Sequence, residues 1–188
     1  MTSLRERILD AGVELICAEG WDHVTMAQLA RRVGVSRQMV YKEIGARDTL
    51  ARAIVTRHAD RFLDGVIERL RAHGADIAGG STDAVDYVLR TAAGDPLIKA
   101  IVSAGHGGRQ DLLPLLTTEP GPVLDRAVRV VLHEARELYP GVPRLPELVE
   151  VVVRLTLSHL VQPSGPVEQA TCQVEWLVRA ASGTRDVA

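Results

Sequence analysis

The stretch TMAQLARRVGVSRQMVYKEIGARDTL, Thr25 to Leu50, decides the fold. Met26, Leu29, Ala30 and Val33 recur at helical spacing and make one apolar stripe. Thr25 stands at the N-cap position with Gln28 three residues on, the capping-box spacing in which side chain and backbone satisfy each other's donors. Gly34 falls where one helix must stop and another begin within a few residues, and glycine takes positive φ there without a Cβ clash. Ser36 suits the N-cap of a second helix, whose Met39, Val40 and Ile44 can pack back on the first. Small Ala30, Gly34 four residues later and β-branched Val40 six beyond that match the spacing of a helix-turn-helix.

In that motif the first turn of the second helix enters the DNA major groove. Arg37, Gln38 and Met39 occupy it here. Arginine donates two hydrogen bonds to guanine, glutamine pairs bidentately with adenine, and methionine touches a thymine methyl. Thr25 at its own helix start is a candidate phosphate contact, because helix N-termini favour anions.

Composition narrows the rest. The net charge is −2, which argues against a coat that binds nucleic acid without specificity. Charge is nevertheless concentrated: between residues 31 and 57, Arg31, Arg32, Arg37, Lys42, Arg47, Arg52 and Arg57 face only Glu43 and Asp48. Aromatics are 3% of a chain that is 46% hydrophobic, so its core must be built from Val, Leu, Ile and Ala. No apolar run is long enough for a membrane span, and MTSLRERILDAG carries charges where a signal peptide needs an apolar stretch. A cytoplasmic protein is expected. Cys17 and Cys172 lie in helical apolar patterns and are expected to be buried free thiols.

Along the chain, residues 3–19 predict a first helix, capped by Ser3 with Glu6 in the capping-box position. Arg5 and Arg7 are candidates to touch phosphate from its start. One long helix runs from about 47 to 73, with Gly65 its soft spot and no Pro/Gly linker at the junction of two halves: 1–46, the DNA-binding part, and 47–188. GADIAGGSTD reads as a loop, with Ser81/Thr82 opening a helix to about 93. Proline or glycine punctuation then predicts helices at 96–102, 121–139, 146–162 and 166–182, with a Gly/Pro-rich connection and the short piece LLPLL between the first two. The fold class is all-α, with about nine helices. The 146–162 helix is apolar nearly all round and must be covered on more than one side. With 166–182 it predicts a four-helix homodimer interface, with Val152, Leu155, His159, Val174 and Leu177 as its candidate residues.

The sequence carries no complete catalytic or metal-binding motif. His133-Glu134-Ala135-Arg136-Glu137 lacks the second histidine of a zinc-protease helix. GHGGRQD lacks the lysine and Ser/Thr of a phosphate loop. No enzyme, cofactor or metal is expected.

The run GWDHVTMAQLARRVGVSRQMVYKEIGARDTLARAI resembles the DNA-binding domain of the TetR family of bacterial transcriptional regulators, over about residues 4–57. The matching features are Glu19-Gly20-Trp21, Thr25, Leu29-Ala30, Gly34-Val35-Ser36, Val40-Tyr41 and Leu50. The chain departs from the family pattern at Ile44, Gly45, Ala46 and Arg47, where an aromatic, a proline or lysine, a Ser/Asn cap and a lysine are frequent. The resemblance implies that Thr25, Ser36, Arg37, Gln38, Met39, Tyr41, Lys42 and Arg47 serve DNA binding, with Tyr41, Lys42 and Arg47 on the backbone. It implies a dimeric repressor on a double-stranded, palindromic operator, its two reading helices about 34–36 Å apart.

The resemblance also implies release by a small hydrophobic effector, which fills a cavity between the long helix and those around 81–139 and swings the long helix. Phe62, Val66, Val88, Leu89, Ile98, Ile101, Val102, Leu124, Val128 and Val131 are the expected walls, with Tyr87, His106, His133 and His159 as polar candidates. The run RQMVY, DPLIKAI and LLPLLTTEPGPVLDRA is similar to an actinobacterial branch that accompanies lipid or alkane metabolism. The alternative is a helical small-molecule-binding protein of the same fold that has lost specific DNA binding.

Overall fold

A computed structural model describes residues 2–103, 112, 114 and 121–183, and these are helical with no strand among them. The order is α1 (Leu4–Glu19), a 3₁₀ turn (Trp21–His23), α2 (Met26–Val33), α3 (Arg37–Ile44) and α4 (Arg47–Ala72). It continues with α5 (Ile77–Gly94), α6 (Pro96–Ser103), α7 (Gly121–Leu138), α8 (Leu145–Val161) and α9 (Val167–Ser182). The local signals behave as their chemistry requires. Ser3 with Glu6, and Thr25 with Gln28, close complete capping boxes. Gly34 adopts φ 79° and ψ 35°, a left-handed turn in which both the Gly34 and Val35 N–H groups donate to the Ala30 carbonyl at 3.0 Å.

Two expectations about the chain need correcting. The segment 74–83 is mostly helix. Asp76 caps α5 by accepting from the Gly79 N–H at 3.0 Å, and Thr82 lies inside the helix with its hydroxyl donating to the Ala78 carbonyl at 2.8 Å. The glycines that suggest a loop serve packing instead. A Cβ on Gly80 would stand 2.8 Å from the Tyr139 hydroxyl, so the bare backbone lets the end of α7 approach α5. Second, Cys17 and Cys172 are both exposed, because each falls on the outer side of its helix stripe. The connection GHGGRQD and most of LLPLL, including His106, lie outside the described residues.

The core has two main bodies. One gathers Ile8, Ile16, Leu29, Val40 and Leu50 with Leu97 and Ile101 of α6; the other joins α5, α7, α8 and α9 around Val85, Leu148 and Val174. The 26 residues of α4, about 39 Å long at 1.5 Å rise, enter both halves. Leu50, Ile54 and Val55 belong to the first body, and Val66 and Leu70 pack with Ala84 of α5. Gly65 is a point of close approach on α4: a Cβ there would stand 2.4 Å from the Tyr87 ring. Residues on both sides of 46/47, among them Ile44 and Leu50, thus enter the first body.

Candidate nucleic-acid interface and effector cavities

The reading end is built by α2 and α3. Ser36 accepts from the Met39 N–H at 3.2 Å, which fixes the start of α3. Arg37, Gln38, Met39, Tyr41 and Lys42 are all exposed, while Val40 and Ile44 are buried against α1 and α2. The buried residues at i and i+4 thus force the intervening polar ones outward, onto one surface. Arg37 and Lys42 make no ion pair among the described residues, so their charge is available to an anion.

Other cations named from the sequence are engaged inside the protein. Arg5 donates to the Glu43 carbonyl at 3.2 Å, and Arg7 to the Val33 carbonyl at 2.6 Å, so both tie α1 to the ends of α3 and α2. Arg32 pairs with Glu14 and Arg57 with Asp10, each at 2.8 Å. Arg47, expected on phosphate, donates through Nε to the Val24 carbonyl at 3.0 Å and through Nη2 to the Trp21 carbonyl. Its guanidinium also lies 4.3 Å over the Trp21 ring. Arg47 is thus a clamp between α4 and the 3₁₀ turn. It holds a helix start that Ala46, which makes no capping hydrogen bond, leaves uncapped by a side chain. No sequence signal marks this role, because every residue carries a carbonyl.

Two adjoining cavities lie in the C-terminal half. The inner one, about 140 Å³, is walled by α4, α5, α7 and α8. Phe62, Val66, Val88 and Val131 line it as expected, and Val152, Thr156 and Leu160 of α8 complete it. Its lining is apolar apart from Ser81 and Thr156, and the Thr156 hydroxyl is satisfied by the Val152 carbonyl at 2.8 Å. The outer one, about 260 Å³, is lined by Leu89, Ile98, Lys99, Val102, His159 and Leu160, among others.

Several expected wall residues stand elsewhere. Ile101 faces the first core body, Val128 packs on the second, and Leu124 is buried but lines neither cavity. His133 is exposed on the outside of α7, one residue from Glu134, whose carboxylate takes two hydrogen bonds of 2.6 Å from Arg71. Tyr87 is held between Gly65 and Arg69, whose guanidinium lies 3.7 Å over its ring, and it lines neither cavity.

Near the inner cavity, the edge of the His58 ring meets Phe62 at 5.5 Å between centroids. Its Nε2 stands 2.9 Å from an Asp95 carboxylate oxygen, out of line for a directed hydrogen bond. Burial holds the His58 imidazole below its ordinary pKa, and the nearby Asp95 charge opposes that shift. Asp95 also caps α6, accepting from the Ile98 N–H at 2.9 Å. The two faces of α6 are therefore distinct: Ile98 and Val102 line the outer cavity, and Leu97 and Ile101 enter the core of the reading end.

On the outside of α8 and α9, Val151 and Trp176 are 46% and 72% exposed. Leu155 and Leu177 are half-buried beside them, and His159 is half-buried at the outer cavity, its Nε2 3.0 Å from the Gln173 side-chain oxygen. Val174 is fully buried within the chain and offers no surface to a second copy, while Val152 is half-buried and lines the inner cavity. Trp176, on the helix expected to take part in that interface, is the most exposed large apolar side chain among the described residues.

Comparison with known proteins agrees with this architecture. Residues 8–54 match the family described as "Bacterial regulatory proteins, tetR family", and residues 76–180 match "Bacterial Tetracyclin repressor, C-terminal domain". The chain is 30% identical over 162 residues to the HTH-type transcriptional regulator AlkX of Mycobacterium tuberculosis, covering 85% of this chain and 76% of that one. The crystal structure of the TetR family repressor AlkX from Dietzia sp. strain DQ12-45-1b, implicated in biodegradation of n-alkanes, superposes with a TM-score of 0.77 at 26% identity. That match covers 95% of this chain and 94% of the other. The transcriptional repressor QsdR of R. erythropolis shares the fold, with a TM-score of 0.70 at 20% identity over 98% of this chain and 97% of its own. A helix-turn-helix with Arg37, Gln38 and Met39 exposed, joined through one long helix to a helical body that holds two cavities, is the structural context of these matches, and the chain belongs to the TetR family of bacterial transcriptional regulators.

Proposed function

We propose that the protein is a dimeric repressor released from a palindromic operator by a small apolar effector. The two-faced α6 is the observation that carries this reading. A ligand moving Ile98 or Val102 in the outer cavity acts on the same helix that inserts Leu97 and Ile101 into the core beneath α1 and α4. Asp95, at the start of α6, adds a second tie to α4 through His58, beside the Phe62 wall of the inner cavity. A ligand biases the DNA-competent state only by its differential affinity for the two arrangements. The cavity linings favour an aliphatic effector, since the inner chamber offers almost no polar partner.

On this reading Arg37, Gln38 and Met39 read bases, Thr25, Ser36, Tyr41 and Lys42 address the backbone, and a second copy packs against Val151, Leu155, Trp176 and Leu177. The exposed, unpaired Arg37 and Lys42 favour it over a carrier that has lost DNA binding. The test is fluorescence anisotropy with the DNA upstream of the protein's own coding sequence, titrated with salt and competitor. Tight, sequence-selective binding by a dimer is expected, weakened by an aliphatic effector. Binding no tighter than to competitor, there and on fragments selected from the genome, overturns it in favour of the carrier.

A further inference from the structure

We infer that Arg5 and Arg7 are positioning residues for base reading. Their guanidinium groups, on α1, seat on the C-terminal carbonyls of α3 and α2 and set the angle at which α3 presents Arg37, Gln38 and Met39 to DNA. This rests on the DNA-reading assignment above and adds to it two residues that touch no DNA.

The two side chains straddle one stripe of α1. Leu4 and Ile8 pack on the core of the reading end. At about 100° of turn per residue, Arg5 and Arg7 leave the helix about 80° to either side of the line between those two. The helix therefore reaches a different neighbour on each flank. Arg7 Nη2 donates to the Val33 carbonyl at 2.6 Å, and Arg5 Nη1 to the Glu43 carbonyl at 3.2 Å. Val33 is the last residue of α2, and Glu43 the last but one of α3. Carbonyls in a final helical turn have no intrahelical partner and carry the negative end of the helix dipole, so a guanidinium suits both.

These hydrogen bonds fix what apolar contact leaves free. The buried residues of α3 are Val40 and Ile44, a stripe of two side chains one turn apart. Hydrophobic contact is non-directional and lets a short helix tilt and slide on such a stripe. A hydrogen bond weakens steeply off its axis, and here both helices are held at their C-terminal ends by the same neighbour. Glu43 stands about 9 Å along α3 from Arg37, so a shift of about 1 Å at the Glu43 end tilts the helix by roughly 6°. Bidentate pairing with a base edge depends on that angle, whereas phosphate contacts carry no sequence information.

The test is fluorescence anisotropy of the full-length protein, titrated with salt, well below each variant's melting midpoint. The probes are the operator identified as above, its single-base variants and competitor DNA. Arg7→Met should lower the ratio of operator to competitor affinity about tenfold. It should shrink the penalties at all base pairs read by α3 together, because the whole helix turns. Competitor binding should change by less than about twofold and the salt slope by less than about 0.5, since no phosphate contact is removed. Arg5→Met, at the longer and exposed contact, should lower the ratio about threefold, and it keeps the test available should Arg7→Met not fold. Arg7→Lys, which can still donate to the Val33 carbonyl, should restore most of the selectivity. A salt slope smaller by about one, with base preferences intact, makes these arginines phosphate contacts and overturns the inference. A lowered melting midpoint with unchanged affinity and selectivity makes them braces of the fold alone and overturns it too. A wild-type chain without selectivity for any operator overturns the DNA-reading proposal itself, whereas a selective wild type with indifferent variants overturns this inference alone.

Discussion

Replacing Arg47 with alanine separates two roles that a basic residue at a helix start can play. In the structure its guanidinium spans the Trp21 and Val24 carbonyls and covers the Trp21 ring. Hydrogen bonds from a charged donor contribute about 1.5–3 kcal/mol each when buried, and these are part-buried, so the low end applies to both. A cation–π contact at such a site adds about 0.5 kcal/mol. The total is about 3.5 kcal/mol. At about 2–4 °C per kcal/mol for a chain of this size, the melting midpoint should fall by roughly 7–14 °C. A phosphate contact predicts something else: an unchanged midpoint and a slope of log K against log salt smaller by about one. Differential scanning calorimetry and salt-titrated anisotropy on Arg47→Ala, the latter well below its midpoint, read the two quantities separately. A midpoint within 2 °C of the wild type, together with a reduced salt slope, would refute the clamp.

Arg37→Ala should relax preference at one operator base pair by about 1–3 kcal/mol, measured on a panel of single-base variants. Lys42→Ala should weaken binding to every sequence alike and lower the salt slope by about one. Trp176→Glu places a charge where the largest exposed apolar side chain stands, and should cost the dimer about 2 kcal/mol or more, read as dissociation by analytical ultracentrifugation. His58 has its pKa depressed by burial, so the unfolded chain binds more protons below about pH 6.5 and stability falls as pH drops through that window. The His58→Gln variant should lose that part of the pH dependence in denaturant titrations between pH 5 and 7.

The reading helix was legible because its signals are local. A capping box, a left-handed glycine and an i, i+4 apolar pair each act within a few residues, and Thr25, Gly34 and Val40 stand where those rules require. Pairings across the chain were not legible. Arg5, Arg7 and Arg47 look like any exposed cations in sequence, yet their partners are backbone carbonyls 23 to 38 residues away. Gly80 misleads for the same reason, since what it makes room for is Tyr139, just past the end of α7. For the cavities, the family resemblance pointed to walls on the long helix and its neighbours, and Phe62, Val66 and Val88 line the inner chamber. Ile98 and Ile101 lie one helical turn apart on α6, and only packing shows that the first borders the outer cavity while the second enters the core of the helix-turn-helix end.

The insertion of Leu97 and Ile101 beneath α1 and α4 bears on how this protein can be recombined. A regulator with a new operator is most simply made by grafting the reading end of one homologue onto the sensing end of another. Here a graft that stops anywhere in α4 joins a foreign helix bundle to a native α6, and two buried side chains must then fit a surface they did not evolve with. Large-to-small mismatches at such sites cost about 2–5 kcal/mol, enough to leave a chimera folded in each half and deaf to its ligand. A working graft carries residues 97 and 101 along with the first 55, as a discontinuous transplant.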